Sequence, residues 1–183
     1  MNLYLAGMIG TGKTTLGRRI AERLGRQCLD LDEEMERILG YSFHKLVHEK
    51  GWLPFRELEY LICKGFAQKT GAVVCLGGGT VRYQWNLDAI RGTGPVVLLD
   101  VAPEEIIRRV RFADRPRVNS GTTLEEDVHL MWERERDKYY AAADLVYRAE
   151  GKDVEQETEE LLELVRSDVR FRGFAYGGGR NGE

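Results

Sequence analysis

The stretch from Leu3 to Thr15, LYLAGMIGTGKTT, decides the fold of this 183-residue chain. Within it, residues 7–14 carry glycines, a lysine and a threonine at the spacing of a Walker A phosphate-binding loop. Glycines let successive backbone N–H groups turn inward around phosphate oxygens, which a Cβ would obstruct. The apolar run before the loop predicts a strand. Behind the loop, Leu16, Ile20 and Leu24 recur as on one face of a helix.

The residues of this loop are candidates for binding ATP. Lys13 brings a point charge to the β and γ phosphates, and the hydroxyl of Thr14 is suited to ligate Mg²⁺. The helix that follows adds its positive N-terminal end. A merely flexible glycine turn would leave Lys13 and Thr14 unexplained. We therefore expect ATP to be bound by Gly10, Thr11, Gly12, Lys13, Thr14 and Thr15.

Elsewhere, short apolar runs alternate with helical segments. We expect strands at 3–6, 27–31, 72–76, 96–100 and 145–148. We expect further helices at 33–39, 43–68, before Pro95, at 103–110, from a capping box of Thr123 and Glu126 to about 142, and at 154–165. This alternation predicts an α/β fold, a three-layer sandwich around a five-stranded parallel sheet, with ligands at the carboxyl ends of the strands.

The domain organisation follows from length and composition. The chain fits one domain, which we place at residues 1–168, with acceptor-binding helices at about 32–62. Residues 112–122 lack periodicity and are interpreted as a mobile lid. Residues 169–183 contain a triple glycine and few core-forming residues, so we predict a flexible tail.

Composition excludes several functional classes. The formal net charge is −3, so no global basic field would recruit nucleic acid or an anionic membrane. Cys28, Cys63 and Cys75 show no disulfide or metal-ligand spacing and are interpreted as reduced core cysteines. No signal-like segment and no apolar run of the ~20 residues that a membrane span needs occur. We expect a cytoplasmic monomer that acts on a small molecule.

Two carboxylates, Asp30 and Asp32, follow the second predicted strand. Residues two apart on a strand share a face, so both side chains are expected to point into the same crevice. One is suited to hold Mg²⁺ through water, and the other to accept the proton of a substrate hydroxyl. A role as helix caps is the alternative. Asp100 imitates the end of a Walker B strand, but Pro103 begins a helix directly after it, so we interpret Asp100 as a turn residue.

Further motifs follow in order along the chain: Phe55-Arg56, Gly77-Gly78-Gly79, Arg115-Pro116, and Arg136 with Tyr140 before Asp144. Together with the Walker A loop and Asp30-Leu31-Asp32, they make the chain resemble the shikimate kinases, a nucleoside-monophosphate-kinase-like P-loop family. The resemblance runs from about residue 3 to residue 164. It implies ATP- and Mg²⁺-dependent phosphorylation of the 3-hydroxyl of shikimate, in aromatic amino-acid (chorismate) biosynthesis.

The resemblance also implies roles for individual residues. It implies that Asp32 binds the shikimate hydroxyls and serves as base, beside Lys13 and the lid arginine Arg115 as the other catalytic residues. It implies Thr14 as the direct Mg²⁺ ligand and Asp30 as the water-mediated one. Arg115 would also contact ATP. The substrate-binding residues that it implies are Asp32, Arg56, Gly77, Gly78, Gly79 and Arg136.

In this set, Arg56 and Arg136 would clamp the substrate carboxylate, a task for which planar guanidinium groups are suited. Three stretches depart from the usual family pattern: Trp52 with Pro54 before Phe55, Arg117-Val118 after the lid arginine, and Lys-Tyr-Tyr at 138–140. None removes a charged ligand, but each bears on the acceptor pocket or the lid.

The identity of the acceptor therefore stays open. A kinase for another small hydroxy acid or sugar acid, such as gluconate, would also use an arginine for the carboxylate. A nucleotide acceptor would need a base pocket, for which we find no residues. A catalytically inactive nucleotide-binding regulatory module is the remaining alternative. Retention of both the phosphate-binding and the acceptor-binding sets argues against it.

Overall fold

A computed structural model of the protein describes residues 1–111, 117–149 and 151–175. Its strands are β1 (Leu3–Ala6), β2 (Cys28–Asp30), β3 (Val73–Cys75), β4 (Val96–Asp100) and β5 (Leu145–Arg148). They form one parallel sheet in the spatial order β2-β3-β1-β4-β5. The predicted α/β fold with a five-stranded parallel sheet is therefore confirmed.

Helices connect successive strands, and two more follow the last strand. They are α1 (Lys13–Leu24), α2 (Leu31–Leu39), α3 (Phe43–Lys50), α4 (Trp52–Ala67), α5 (Gln84–Ile90), α6 (Pro103–Val110), α7 (Leu124–Ala142), α8 (Val154–Ser167) and α9 (Arg172–Ala175). Two short 3₁₀ helices span Thr80–Arg82 and Val169–Phe171. The first of these packs against α7, and α4 packs against α2, α3 and α5.

The central strands are buried on both faces. All residues of β1 and β3 are buried, as are the first four of β4. At the centre, Tyr4 pairs with Val74 on one side and with Val96 on the other. Continuous apolar runs are typical of parallel strands covered by helices, and this is why the sequence pattern locates them.

Several predicted boundaries agree with the structure. β4, α6 and β5 have the predicted bounds, and both bonds of the capping box between Thr123 and Glu126 are present. The predicted helix at 43–68 is instead two helices. Gly51 has a φ of 81°, a left-handed conformation that ends α3 and begins α4.

The expectation of a flexible tail from residue 169 is wrong for residues 169–174. Phe171 and Phe174 are completely buried. The Arg26 guanidinium lies over the ring of Phe174 and donates a 2.8 Å hydrogen bond to its carbonyl oxygen. The two buried rings thus join this segment to the core. The sequence pattern did not predict this, because the neighbours of these phenylalanines are polar residues and glycines. Residues 176–183 lie outside the described residues.

The cysteines are free thiols, as predicted. Cys63 and Cys75 are buried, and Cys28 is half-buried, with its Sγ 3.9 Å from that of Cys75. No helix in the described part of the chain is long and apolar enough to cross a membrane.

Close packing of α1 on the sheet depends on Gly17. A Cβ at this position would collide with the Sγ of Cys75 and would lie 3.3 Å from Cδ1 of Leu5. The Sγ of Cys75 is itself held 3.3 Å from the carbonyl oxygen of Lys13. The helix that carries the phosphate-binding loop is therefore seated on β1 and β3 without room for a side chain.

We predict that Gly17→Ala lowers the free energy of unfolding by about 1–3 kcal/mol, because the added methyl group overpacks this contact. Gly65→Ala is the matched control, since Gly65 is exposed within α4 and a Cβ there meets no atom within 4 Å. That change should instead stabilise the protein by about 0.5–1 kcal/mol through helix propensity. Urea unfolding measures both, and equal effects of the two changes would contradict the packing argument.

Candidate active site

The phosphate-binding loop, residues 7–14, connects β1 to α1. Gly10 and Gly12 have φ angles of 73° and 93°, which L side chains rarely adopt. Lys13 is buried, and its Nζ donates hydrogen bonds to the carbonyl oxygens of Gly7 and Met8 at 2.9 and 2.8 Å. The cation is thus held inside the loop, next to the N-terminal end of α1. This combination favours the binding of phosphate.

The threonine after this lysine contacts the first candidate carboxylate. Thr14 Oγ1 donates a 2.6 Å hydrogen bond to Oδ2 of Asp30. The other oxygen of Asp30, Oδ1, accepts from the backbone N–H groups of Asp32 and Glu33 at 3.0 and 3.2 Å, which caps α2. Asp30 is therefore a helix cap and a neighbour of Thr14 at once. The two roles that the sequence suggested, helix cap and partner of Mg²⁺, therefore do not exclude each other.

The second candidate carboxylate occupies a different element from the one expected. Asp32 is not on the strand end but is the second residue of α2. Its Oδ1 would lie 3.3 Å from a Cβ at Gly77, so the absence of a side chain at Gly77 leaves room for this carboxylate. Asp32 reaches the crevice because β2 ends at Asp30 and α2 begins at once.

A cleft of about 660 Å³ surrounds the phosphate-binding loop. Asp30, Asp32 and residues of α6 and of the start of α8 also line this cleft. Of the residues expected to bind ATP, Gly10, Gly12, Lys13, Thr14 and Thr15 line the cleft. Thr11 is buried instead, and its hydroxyl donates to the carbonyl oxygen of Met8 at 2.9 Å.

A second pocket adjoins this cleft and shares Ile9, Asp32 and Gly78 with it. We call it the acceptor pocket. Its other lining residues are Phe43, His44, Trp52, Phe55, Arg56, Glu59, Gly79, Arg82, Arg117, Val118, Leu124, Asp127, Val128 and Met131. It therefore combines an apolar and aromatic wall with several charged groups, and Asp32 stands where the two cavities meet.

A completely buried carboxylate, Glu59, organises the acceptor pocket. Its Oε2 lies 2.8 Å from Arg56 Nη1 and accepts from Asn86 Nδ2 at 3.0 Å. Its Oε1 accepts from Thr80 Oγ1 at 2.8 Å. Glu59 thus connects α4, α5 and the turn after β3. A buried charge is tolerated only when it is paired and hydrogen-bonded, and this one is both.

Arg56 is held on this carboxylate among aromatic rings. Its side chain is 10% exposed, and its guanidinium lies over the rings of Trp52, Phe55 and Tyr83 at 4.6–5.2 Å. Its Nε is buried and has no hydrogen-bond partner in the described structure. A buried donor without a partner is costly, and it marks a place where a ligand oxygen would be stabilised.

Comparison with known proteins identifies the family of this chain. The family model for shikimate kinase matches residues 9–166. This chain belongs to the shikimate kinase family. The shikimate kinase of Geobacter sulfurreducens is 37% identical over 166 residues, which cover 90% of this chain and 91% of the relative. That of Persephonella marina is 33% identical, with 90% and 99% covered.

Solved structures of the family have the same fold. A shikimate kinase from Acinetobacter baumannii in complex with shikimate superposes with a TM-score of 0.84 at 28% identity, covering 91% of this chain and 93% of that one. A shikimate kinase from Bacteroides thetaiotaomicron gives 0.80 at 30% identity, with 91% and 98% covered. The predicted family and the P-loop kinase fold are thereby confirmed.

The arginine expected to complete the carboxylate clamp does not lie in the acceptor pocket. Arg136 is 59% exposed, and the nearest carboxylate in the described structure is that of Asp137, 3.6 Å away. Helix phase explains this. The buried residues of α7 span an arc of about 120° around the helix, and Arg136 lies about 60° beyond the edge of this arc; they are Asp127, Val128, Met131 and Tyr139. This geometry corrects the expectation that Arg136 and Arg56 form one clamp.

Tyr139 takes the inner position of this helix instead. Its hydroxyl donates a 2.6 Å hydrogen bond to the carbonyl oxygen of Gly78, and burial raises the pKa of Tyr139 to about 12. The neutral phenol is therefore a fixed donor that holds the triple-glycine turn against α7. Gly78 and Gly79 line the acceptor pocket, whereas Gly77 lies behind them against Asp32.

Several pocket residues had no role in the sequence analysis. Glu59 follows Arg56 by three residues, which is the spacing of a helical ion pair and the one signal that could have revealed it. Arg82, His44 and Asp127 are isolated in sequence and become neighbours only in the fold. Asp127 accepts hydrogen bonds from the backbone N–H groups of Val118 and Asn119, which hold these two residues against α7.

Arg115 and Asp100 are the remaining candidates from the sequence. Arg115, the expected lid arginine, lies outside the described residues, so its role stays a prediction. The Asp100 carboxylate accepts from the Tyr140 hydroxyl at 2.8 Å and lies 3.8 Å from Nε of Arg148. It contacts side chains of α7 and β5 and does not line the nucleotide cleft, in keeping with its interpretation as a turn residue.

A buried carboxyl group that the sequence did not reveal also lines the nucleotide cleft. Glu157, in the first turn of α8, is 4% exposed, and its Oε1 has no hydrogen-bond partner in the described structure. Burial raises its pKa above the ordinary value of 4.5, while the charges of Arg109 and Lys152 oppose this shift.

We predict that Glu59→Ala lowers the free energy of unfolding by about 3–5 kcal/mol, because it leaves the buried cation of Arg56 without its partner. Asp88→Ala is the matched control. Asp88 also pairs with an arginine three residues away, Arg91, at 2.8 Å, but the side chains of both residues are exposed. That change should cost about 1 kcal/mol or less. Urea unfolding measures both, and similar losses would show that burial of the pair is not decisive.

We also predict that Glu157→Gln stabilises the protein near neutral pH. Because the pKa of Glu157 is raised in the folded state, ionisation of the wild-type residue is harder after folding than before. The resulting destabilisation is absent well below the unfolded pKa and develops as pH rises through the folded one. The advantage of the glutamine variant should therefore shrink as pH falls to about 4.5.

Urea midpoints of the wild type and the variant at the two pH values test this. Glu163→Gln, a change at an exposed position of the same helix, should show no such dependence on pH. If the stability gained by Glu157→Gln stays constant or grows on acidification, the pKa of Glu157 is not raised by folding and the prediction is wrong.

Proposed function

We propose that this protein transfers the γ-phosphoryl group of MgATP to the 3-hydroxyl group of shikimate. The observation that carries the proposal is the position of Asp32 between a phosphate-binding cleft and a pocket that contains the buried guanidinium of Arg56. Membership of the shikimate kinase family supports the choice of acceptor. So does the likeness to a relative whose structure was solved in complex with shikimate.

The donor side of the reaction uses the phosphate-binding loop. Its backbone N–H groups and the N-terminal end of α1 would cradle the β and γ phosphates, and Lys13 would neutralise the charge on them. The ribose and base would then extend toward α6 and α8, where Arg109, Lys152 and Glu157 line the cleft. This orientation leaves the γ-phosphate facing Asp32.

The residues present fit a magnesium ion bound with ATP. Thr14 Oγ1 and Asp30 Oδ2 are hard oxygen ligands 2.6 Å apart at the edge of the loop. The described residues include no cluster of three or more histidine, cysteine or acidic side chains that could hold a metal on their own. Phosphate and water would therefore supply the other ligands. When bound, the ion neutralises charge on the transferred phosphoryl group.

The acceptor side places a hydroxyl group in line with the γ-phosphate. Asp32 would accept the hydrogen bond of that hydroxyl and take its proton as the new phosphorus–oxygen bond forms and the bond to ADP breaks. The transition state is loose, so positioning and charge neutralisation contribute more than strong base action. Arg56 would bind the carboxylate of shikimate at the other side of the ring. Closure of Arg115 over the phosphates belongs to the same proposal.

Two alternatives differ in the acceptor or in turnover. A kinase for gluconate shares the need for a carboxylate-binding arginine, and a regulatory module needs no acceptor at all. Retention of Lys13, Asp32 and Arg56 in one connected site favours turnover. A monomeric state, a cytoplasmic location and the lack of nucleic-acid binding stay predictions from the sequence.

The experiment is a coupled assay of ADP release with MgATP and a panel of acceptors: shikimate, gluconate and AMP. We expect release that depends on shikimate. Asp32→Asn should lower kcat by about 10²- to 10⁴-fold, because the variant lacks the base. Lys13→Ala should lower it by roughly 10²- to 10³-fold, because charge on the phosphates is no longer neutralised.

Asp88→Asn and Lys45→Ala are the controls, since both remove an exposed charge that lines neither cavity, and neither should change kcat by more than about twofold. Faster turnover of gluconate or AMP than of shikimate would reassign the acceptor. ATP binding without turnover of any acceptor would favour the regulatory module.

A further inference from the structure

The acceptor pocket contains an unexplained cation, Arg82, at the end of the 3₁₀ helix that follows the triple glycine. Arg82 is half-buried and lines the pocket. Within the described parts of the chain, no carboxylate oxygen lies within 4 Å of its guanidinium, in contrast to Arg56. A cation that faces a pocket without an acidic partner is suited to bind an anion.

The side chain of Arg82 folds back over the third glycine of the motif. A Cβ at Gly79 would collide with Nη2 of Arg82, so the guanidinium occupies the space that a side chain at Gly79 would fill. Nε of Arg82 lies 3.4 Å from the carbonyl oxygen of Gly79. The third glycine of the motif therefore makes room for an arginine in this chain.

Arg82 and Arg56 meet at one aromatic ring. The guanidinium carbon of Arg56 lies 4.6 Å from the centroid of the Tyr83 ring, and that of Arg82 lies 5.7 Å from the same centroid. Both arginines also line the acceptor pocket, and an anion bound there would reduce the repulsion between their charges. The charge of Arg56 is already offset by Glu59 at 2.8 Å, so the net positive charge of this group comes from Arg82.

We propose that Arg82, together with Arg56, binds the carboxylate of the acceptor, the role that the sequence suggested for Arg136. The inference rests on the proposed function, because it concerns the acceptor of that reaction. The buried, unpartnered Nε of Arg56 supplies a further donor, on a residue that lines the same pocket as Arg82. The ligand class is a small monocarboxylate with ring hydroxyls, its carboxylate at Arg56 and Arg82 and its reacting hydroxyl at Asp32.

Arg117 is the third arginine that lines the pocket. It precedes Val118 and Asn119, whose backbone N–H groups are bound by Asp127 of α7. Arg82 follows the triple glycine and contacts the same tyrosine ring as Arg56, so the carboxylate is assigned to Arg82. Arg117→Ala is one arm of the test.

The test measures kcat and KM for shikimate, and KM for ATP, in the wild type and in Arg82→Ala, Arg82→Lys, Arg117→Ala and Arg136→Ala. Arg82→Ala should raise KM for shikimate by roughly 10- to 100-fold, the effect of losing a charge-assisted hydrogen bond. Its KM for ATP should stay within about twofold of wild type, because the nucleotide cleft is untouched. Arg82→Lys should recover part of the loss, because it keeps the charge but loses the planar donor pair.

Arg91→Ala is the matched control, since Arg91 is 72% exposed and pairs with Asp88 on the neighbouring α5. It and Arg136→Ala should leave KM for shikimate within about threefold of wild type. A second substrate separates binding of the carboxylate from loss of structure. With the methyl ester of shikimate, which lacks the negative charge, the ratio of wild-type to Arg82→Ala kcat/KM should fall toward one.

A large rise in KM for Arg136→Ala or Arg117→Ala, with Arg82→Ala near wild type, would overturn the inference and leave the proposed function standing. If the wild type turns over gluconate and not shikimate, the proposed acceptor fails. The inference is then decided by the same variants with gluconate. If no acceptor is turned over, calorimetric titration with shikimate decides: weaker binding by Arg82→Ala than by Arg91→Ala supports it, and equal or absent binding refutes it.

Discussion

A parallel sheet brings the carboxyl ends of all its strands to one edge, and the active site of this protein depends on that constraint. The phosphate-binding loop follows β1, Asp30 ends β2, and the triple glycine follows β3. Because β3 lies between β2 and β1, these three connections are neighbours in space although up to 70 residues separate them. The hydrogen bond from Thr14 to Asp30 joins two of them, and the fit of Asp32 against Gly77 joins the third.

Around this edge, one buried carboxylate converts a surface crevice into a defined acceptor pocket. Glu59 bonds Arg56 on its own helix, Thr80 on the turn after β3 and Asn86 on α5. Each bond removes a degree of freedom from a wall of the pocket. Desolvation of such a group is costly, so its partners must be complete. The pocket is therefore well defined where it holds the guanidinium of Arg56, whose Nε is the donor that keeps no partner in the described structure.

The charges of the pocket differ from those that the motifs suggested. In sequence, Arg136 stands in the expected place before Tyr140 and Asp144, but a helix presents only part of its circumference to the core. The four buried residues of α7 together set the phase of this helix and leave Arg136 on its exposed side. Arg82, in a turn with no recognisable motif, occupies the pocket instead because Gly79 leaves space for it.

The sequence by itself determined the parts of this protein that depend on local conformation. Glycines at left-handed φ, a lysine and a threonine at fixed spacing define the phosphate-binding loop, and apolar runs define buried parallel strands. Only the tertiary structure decided the neighbours of Arg82, the burial of Glu157 and the docking of Phe171 and Phe174. The reason is physical: side-chain burial and ion pairing depend on the phase of helices and on contacts between distant segments, and neither is encoded in a short stretch of residues.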